Sequence, residues 1–93
     1  MRMIGSNLSV LENSHSISIM MYLSGHDGCK KSELYRDVCR GSLMPRKLDA
    51  LEEAGFIEQR SEGRYTRLFI TENGMEVGRA LRELDLLLRR KEY

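Results

Sequence analysis

The chain is predicted to adopt an α+β fold of three helices, a two-stranded hairpin and a long closing helix, and three observations predict it. Apolar residues at Met44, Leu48 and Leu51 recur at helical spacing and stop at Gly55, as an amphipathic helix does. Two short strand-forming runs, one opening at Phe56, Ile57 and Gln59 and the other covering Tyr65 to Ile70, flank the polar turn Ser61-Glu62-Gly63-Arg64. A final stretch beginning at Thr71 places Val77, Leu81, Leu84 and Leu88 at steps of four, three and four, the seam of a helix pair.

Residues Met1 to Asn13 are a lead-in that offers Ile4, Leu8, Val10 and Leu11 for packing. The first helix starts near Asn13 or Ser14, either of which can cap it. It carries Ile17, Met20 and Met21 on one face and Ile19 and Leu23 on another, which places it at the centre of the molecule. Gly25-His26-Asp27-Gly28 ends it in a turn. A second helix spans Lys31 to Arg40, with Glu33 in its first turn, where a carboxylate suits the helix dipole. Leu34, Val38 and Tyr35 supply its inward face.

The third helix runs from about Leu43 to Ala54, with Ser42 as N-cap and Pro45 in the first turn, where amides have no helical partner. Gly55 stops it in the left-handed conformation. After the hairpin, Thr71 caps the last helix, which reaches Lys91.

The 93 residues are expected to form one small domain, with 11–71 as its helical and hairpin core and 72–91 as the closing helix. A chain of this size buries a modest share of its surface, so a second copy is expected to cover part of the rest. A hydrophobic fraction of 41% with 31% charged residues suits a folded, soluble chain. No apolar run is long enough to span a bilayer, and Met1 to Asn7 lacks the apolar region of a secretory signal, so a cytoplasmic protein with no membrane partner is expected.

The net charge of +1 conceals an uneven distribution. Between Lys30 and Ala50, six basic residues (Lys30, Lys31, Arg36, Arg40, Arg46, Lys47) face three acidic ones (Glu33, Asp37, Asp49). Between Gln59 and Thr71, Arg60, Arg64 and Arg67 face Glu62 alone. Positive charge is therefore concentrated on the middle of the chain, where a phosphate backbone could neutralise it.

No catalytic arrangement emerges. Neither His15 nor His26 has a serine, cysteine or carboxylate constellation that sequence can establish, and both read as surface or capping residues. There is no phosphate-cradling glycine loop. Cys29 and Cys39 complete no zinc spacing with the histidines; they read as small buried hydrophobes, with a disulfide as the alternative. No enzyme activity, metal or cofactor is expected.

Three segments carry a resemblance. Leu11 to Leu23 (LENSHSISIMMYL) resembles the opening helix of ArsR-type repressors. Lys47 to Arg60 (KLDALEEAGFIEQR) is similar to the recognition-helix-to-wing passage shared by MarR, ArsR and related archaeal regulators. Tyr65 to Glu76 (YTRLFITENGME) resembles the returning wing strand entering the final helix. In this order and spacing they make the chain similar to winged helix-turn-helix transcriptional regulators. The resemblance implies a double-stranded-DNA-binding fold that acts as a homodimer at promoters. The cysteine motif of metal-sensing ArsR members is absent, so metal sensing is not implied.

Residue roles follow from helix phase together with that resemblance. With Leu48 inward, a rotation of about 100° per residue sends Arg46 and Ala50 to the opposite side, with Ser42, Leu43 and Glu53 nearby and Lys47 and Asp49 on the flanks. In this fold class the outer face enters the major groove, which makes Arg46 the candidate for a bidentate guanine contact. Lys47, Lys30 and Lys31 are assigned to phosphates, and Ser42 to a phosphate at the helix N-terminus. Arg60, Arg64 and Arg67 lie on the hairpin, and Arg64 at its tip is the candidate for the minor groove or backbone.

Val77, Leu81, Leu84, Leu87 and Leu88 are the candidate dimer interface. Leaving such leucines in water costs roughly 1.5–3 kcal/mol per side chain. Two other readings stand beside this one. One is a winged-helix protein-interaction module without DNA binding. The other is a switch holding a small apolar effector between dimer helices, for which the methionine-rich first helix leaves room.

Overall fold

A computed structural model of the chain describes residues 7–12, 15–38, 41 and 43–90. Chain order begins with a 3₁₀ helix, Asn7–Glu12. Then come α1 (Ser16–Gly25), β1 (Cys29–Lys30), α2 (Lys31–Asp37), α3 (Met44–Glu53), β2 (Ile57–Glu62), β3 (Tyr65–Ile70) and α4 (Glu72–Arg90). The three strands form one antiparallel sheet in the order β1-β3-β2.

α1 buries Ser16, Ile19, Met20 and Leu23, a single stripe at i, i+3, i+4 and i+7. The expectation of two apolar faces is corrected here, because Ile17 is 44% exposed and Ser16 occupies the inward position ahead of Ile19. The helix starts after His15, which has a left-handed φ of 69° and makes no side-chain cap. The alternative caps Asn13 and Ser14 lie outside the described residues. Part of the lead-in is helical, and Val10 and Leu11 pack against the core.

α2 is shorter than expected, ending at Asp37 with Val38 as its C-cap. Glu33 lies in the first turn as expected, and its Oε1 also accepts the Lys30 backbone N–H at 2.8 Å. The far end of α2 is tied to α1, where the Tyr22 hydroxyl donates to Asp37 Oδ2 at 2.7 Å and the Arg36 Nε donates to Asp37 Oδ1 at 2.7 Å. These bonds, Arg36 first, hold the Asp37 carboxyl down to about 2, and the same contact with Asp37 pushes the Tyr22 phenol up to about 12.

The consequence for stability has a definite sign. A depressed carboxyl contributes fully above its unfolded value of about 3.9 and loses that contribution as the pH falls through its folded value. The melting-temperature gap between wild type and Asp37→Asn should therefore be present at pH 6 and should close between about pH 4 and 2. Thermal melts across that range check it, and a gap of constant size would contradict it.

α3 buries Met44, Leu48 and Leu51 as the spacing requires. Its N-cap is Leu43, without a side-chain bond, instead of the expected Ser42, which lies outside the described residues, as do Cys39 and Arg40. The first turn is satisfied by main chain, with Met44 N–H donating to the Gly41 carbonyl at 3.1 Å. At the other end, Gly55 has a φ of 85°. Its N–H donates to the Glu52 carbonyl at 2.9 Å, and the Phe56 N–H donates to the Leu51 carbonyl at 3.0 Å. Those two bonds are the Schellman pattern that ends a helix at glycine.

The sheet resolves which residues of β3 face inward. Leu68 is fully buried and Ile70 packs against the core, while Cys29 of β1 and Ile57 of β2 share their side. Tyr65, Arg67 and Phe69 take the other face, opposite Glu62, Arg60 and Glu58 of β2 and beside Lys30 of β1. Burial pushes the Cys29 thiol up, away from the reactive thiolate.

α4 starts at the predicted cap. Thr71 Oγ1 accepts the Gly74 N–H at 3.0 Å and donates to the Gly55 carbonyl at 2.6 Å, which anchors the helix to the end of α3. Val77 and Leu81 then pack against the chain's own core. Gly74 lies on the Phe56 carbonyl, and Gly78 faces Ser24 of α1, whose Cβ would be 2.9 Å from an added methyl group. Arg82 Nη2 donates to Ser24 Oγ at 2.9 Å. Among the described residues, no helix is long and apolar enough to cross a membrane.

Candidate nucleic-acid interface

Two surfaces carry the candidate cations. The first is the outward side of α3. Leu48 fixes the phase because it is wholly buried, and Arg46 two residues earlier is exposed. Among the described residues, neither Arg46 nor the half-buried Lys47 has a side-chain hydrogen bond or ion pair. The same holds for Lys31 at the start of α2 and for Arg64 at the hairpin tip. These four charges are thus available to an external anion.

The second surface is the outer face of the sheet, where the remaining cations are already engaged. The Lys30 ammonium lies 4.5 Å from the Tyr65 ring centre. Arg60 stacks 4.3 Å over Phe69 and pairs with Glu58 at 3.2 Å. Arg67 donates to the Gly28 carbonyl at 2.7 Å, pairs with Glu62 at 3.0 Å and sits 5.2 Å from Tyr65. Its guanidinium is raised further in pKa by bonds to Tyr65 and Glu62.

The two arginines therefore differ. An exposed pair such as Arg60–Glu58 is worth about 0–1 kcal/mol and can exchange Glu58 for a phosphate. Arg67 bridges the β1 turn to the hairpin with three contacts, so its role in this structure is to brace the sheet.

The hairpin turns tightly at Gly63-Arg64, because Glu62 pairs directly with Tyr65, which leaves Arg64 at the outermost point. The expected turn was four residues long; Ser61 and Glu62 instead extend β2.

One residue that sequence reasoning passed over ties the hairpin to α3. Gln59 of β2 reaches α3, its Nε2 donating to Asp49 Oδ1 at 2.9 Å and to Glu52 Oε1 at 3.1 Å. Its backbone N–H donates to Glu52 Oε2 at 3.0 Å. The only sequence signal was negative: a polar residue at an inward strand position, two after the buried Ile57.

The candidate self-association seam divides in two. Val77 and Leu81 are half-buried within the chain, whereas Leu84, Leu87 and Leu88 are 49%, 50% and 60% exposed. Leu86, on the opposite side of α4, is 59% exposed. Among the described residues, no three His, Cys, Asp or Glu side chains gather as a metal site.

Comparison with known proteins places this geometry. No family sequence model matches the chain, and no curated protein matches it in sequence. Solved structures do. A possible HxlR family transcriptional factor from Thermoplasma volcanium GSS1 matches with a TM-score of 0.75 at 22% identity, covering 96% of this chain and 84% of that one. MarR matches with a TM-score of 0.66 at 29% identity, over 95% of this chain and 67% of MarR. Reduced AbfR, solved bound to DNA, matches with a TM-score of 0.62 at 20% identity, over 83% of this chain and 57% of AbfR. The chain has the winged-helix fold of MarR-type transcriptional regulators, with a small antiparallel sheet and a long closing helix.

Proposed function

We propose that the protein is a transcriptional regulator that binds double-stranded DNA sequence-specifically as a homodimer in the cytoplasm. The observation that carries this reading is the set of unpartnered cations on the two elements that a winged helix presents to a duplex: Arg46 and Lys47 on α3, and Arg64 at the wing tip. AbfR, which shares the fold, was solved on DNA, and that supports the same partner here.

In this reading α3 enters the major groove, and the fork of Arg46 holds a guanine edge through two parallel hydrogen bonds. Lys47 and Lys31 meet phosphates, as do Lys30 and Arg60 once they leave Tyr65 and Glu58. Ser42 supplies a hydroxyl or amide at the helix start. Arg64 reaches the backbone or the minor groove, and Arg67 acts through the brace it provides. Two α3 helices of a dimer read half-sites about 34 Å apart. Leu84, Leu87 and Leu88 meet the same residues of a second copy, continuing the seam begun by Val77 and Leu81.

Two variants test this reading. Arg46→Ala should lower affinity for a selected duplex by about 1–3 kcal/mol and relax its preference at one base pair. Arg64→Ala should weaken selected and scrambled duplexes alike and flatten the salt dependence. Gel shifts on both duplexes read both effects. Unchanged affinity in both variants at moderate salt would favour the alternative of a winged-helix protein-interaction module.

A further inference from the structure

We infer that Gln59 is a positioning residue for the DNA contact: it fixes the wing against the recognition helix and holds Asp49 away from Arg46. The inference rests on the DNA-binding reading above and adds to it the element that sets the relative geometry of its two contact surfaces.

The hydrogen bonds leave Gln59 only one way to act. Asp49 and Glu52 stand three residues apart on α3, and both carboxylates turn toward β2. A carboxylate only accepts, so the group between them must donate twice. The side-chain amide of Gln59 does so, at 2.9 Å to Asp49 and 3.1 Å to Glu52. The second oxygen of Glu52 takes the backbone N–H of the same residue at 3.0 Å. Both Glu52 oxygens and one of Asp49 are thereby committed to a single strand residue. Among the described residues, neither carboxylate has an ion pair.

Two effects follow. The wing joins α3 at its base through the short link Ala54-Gly55-Phe56; β3 is held on its far side by β1 and the core, and these three bonds, with the buried Ile57, tie β2 directly to α3. The angle between wing and α3 decides whether Arg64 reaches DNA while Arg46 sits in the groove. Arg46 is also three residues before Asp49 on the same helix, within reach of an ion pair. An arginine neutralised there would present less charge and a misdirected fork to a base. A neutral donor on Asp49 removes that competitor without adding a cation of its own.

The test uses the full chain and a duplex selected from a random pool. Gln59→Ala should weaken binding roughly tenfold, and removing Arg64 from that variant should cost little more, whereas Arg64→Ala in wild type costs its full penalty. A purely structural role would not produce that loss of Arg64 dependence. Gln59→Glu sets three carboxylates together and should bind worse still. Adding Asp49→Asn and Glu52→Gln to it reverses donors and acceptors, and should restore both affinity and the Arg64 effect. This rescue also decides the matter if Gln59→Ala proves too unstable to assay.

Wild-type affinity in Gln59→Ala, an Arg64 penalty equal in both backgrounds, or no recovery in the reversed variant would each overturn the inference while leaving DNA binding intact. A wild-type chain that binds no duplex would instead remove the DNA-binding reading, and this role with it.

Discussion

Gly74→Ala is expected to destabilise the protein by about 3 kcal/mol or more, the reverse of what its position in a helix suggests. Glycine inside an exposed helix is worse than alanine by about 1 kcal/mol, so a methyl group should ordinarily help. Here an added Cβ would fall on the Phe56 carbonyl oxygen, with its carbon at 2.9 Å and Ile70 Cγ1 at 2.8 Å. The carbonyl cannot move aside freely, because it accepts the Thr71 N–H at 3.0 Å. The residue is buried where α4 crosses the link between α3 and the wing, so relief would have to come from shifting the whole helix. A loss of that size lowers the melting temperature by roughly 12 °C or more in a domain this small. Gly41→Ala is the control, since nothing lies within 4 Å of its added Cβ. Melting both variants at one protein concentration checks the expectation; equal stability of Gly74→Ala and wild type would contradict the close approach.

The second large effect concerns assembly. Leu84→Glu with Leu88→Glu keeps helix-forming residues in α4 and leaves the folded core untouched, since both side chains are largely exposed. If a second copy covers them, each substitution removes roughly 1.5–3 kcal/mol of burial per chain and adds a charge to a dry seam. Light scattering should then give the mass of one chain where wild type gives two. DNA affinity should fall by a factor on the order of 100 or more, because the second half-site is no longer tethered to the first. A wild-type chain that is already monomeric, or a variant that remains dimeric, would contradict this assignment of α4.

Much of the fold could be read from local pattern. The α3 stripe, its glycine stop, the hairpin and the Thr71 cap each depend on chemistry within a few residues, and each is present, the hairpin with a tighter turn than the pattern gave. The features that escaped depend on distant partners. β1 is two residues long, too short to alternate, and exists because Cys29 and Lys30 pair with Leu68 and Arg67. Leu68 and Ile70 face inward and Tyr65 and Phe69 outward; both sets are apolar, so alternation alone does not choose between them, and burial against the helices does. Gly74 and Gly78 are poor helix formers, and only the carbonyl of Phe56 and the side chain of Ser24 account for their place in α4.

The candidate site divides in the same manner. Arg46 was singled out by helix phase together with the family resemblance, and its exposure agrees with that phase. Arg60 and Arg67 could not be told apart by composition, since only the register across the strands shows which of them is locked by the Gly28 carbonyl. Gln59 gave no sign beyond a polar residue at an inward strand position, because its partners are seven and ten residues away on another element.

The salt dependence of affinity for a selected duplex tests the central claim most directly. If the unpartnered cations of α3 and the wing grip the backbone in a two-chain complex, binding releases several counterions. The logarithm of affinity should then fall with the logarithm of salt concentration with a slope of about −4 or steeper. A slope near zero, or no binding at low salt to any duplex in the pool, would contradict it.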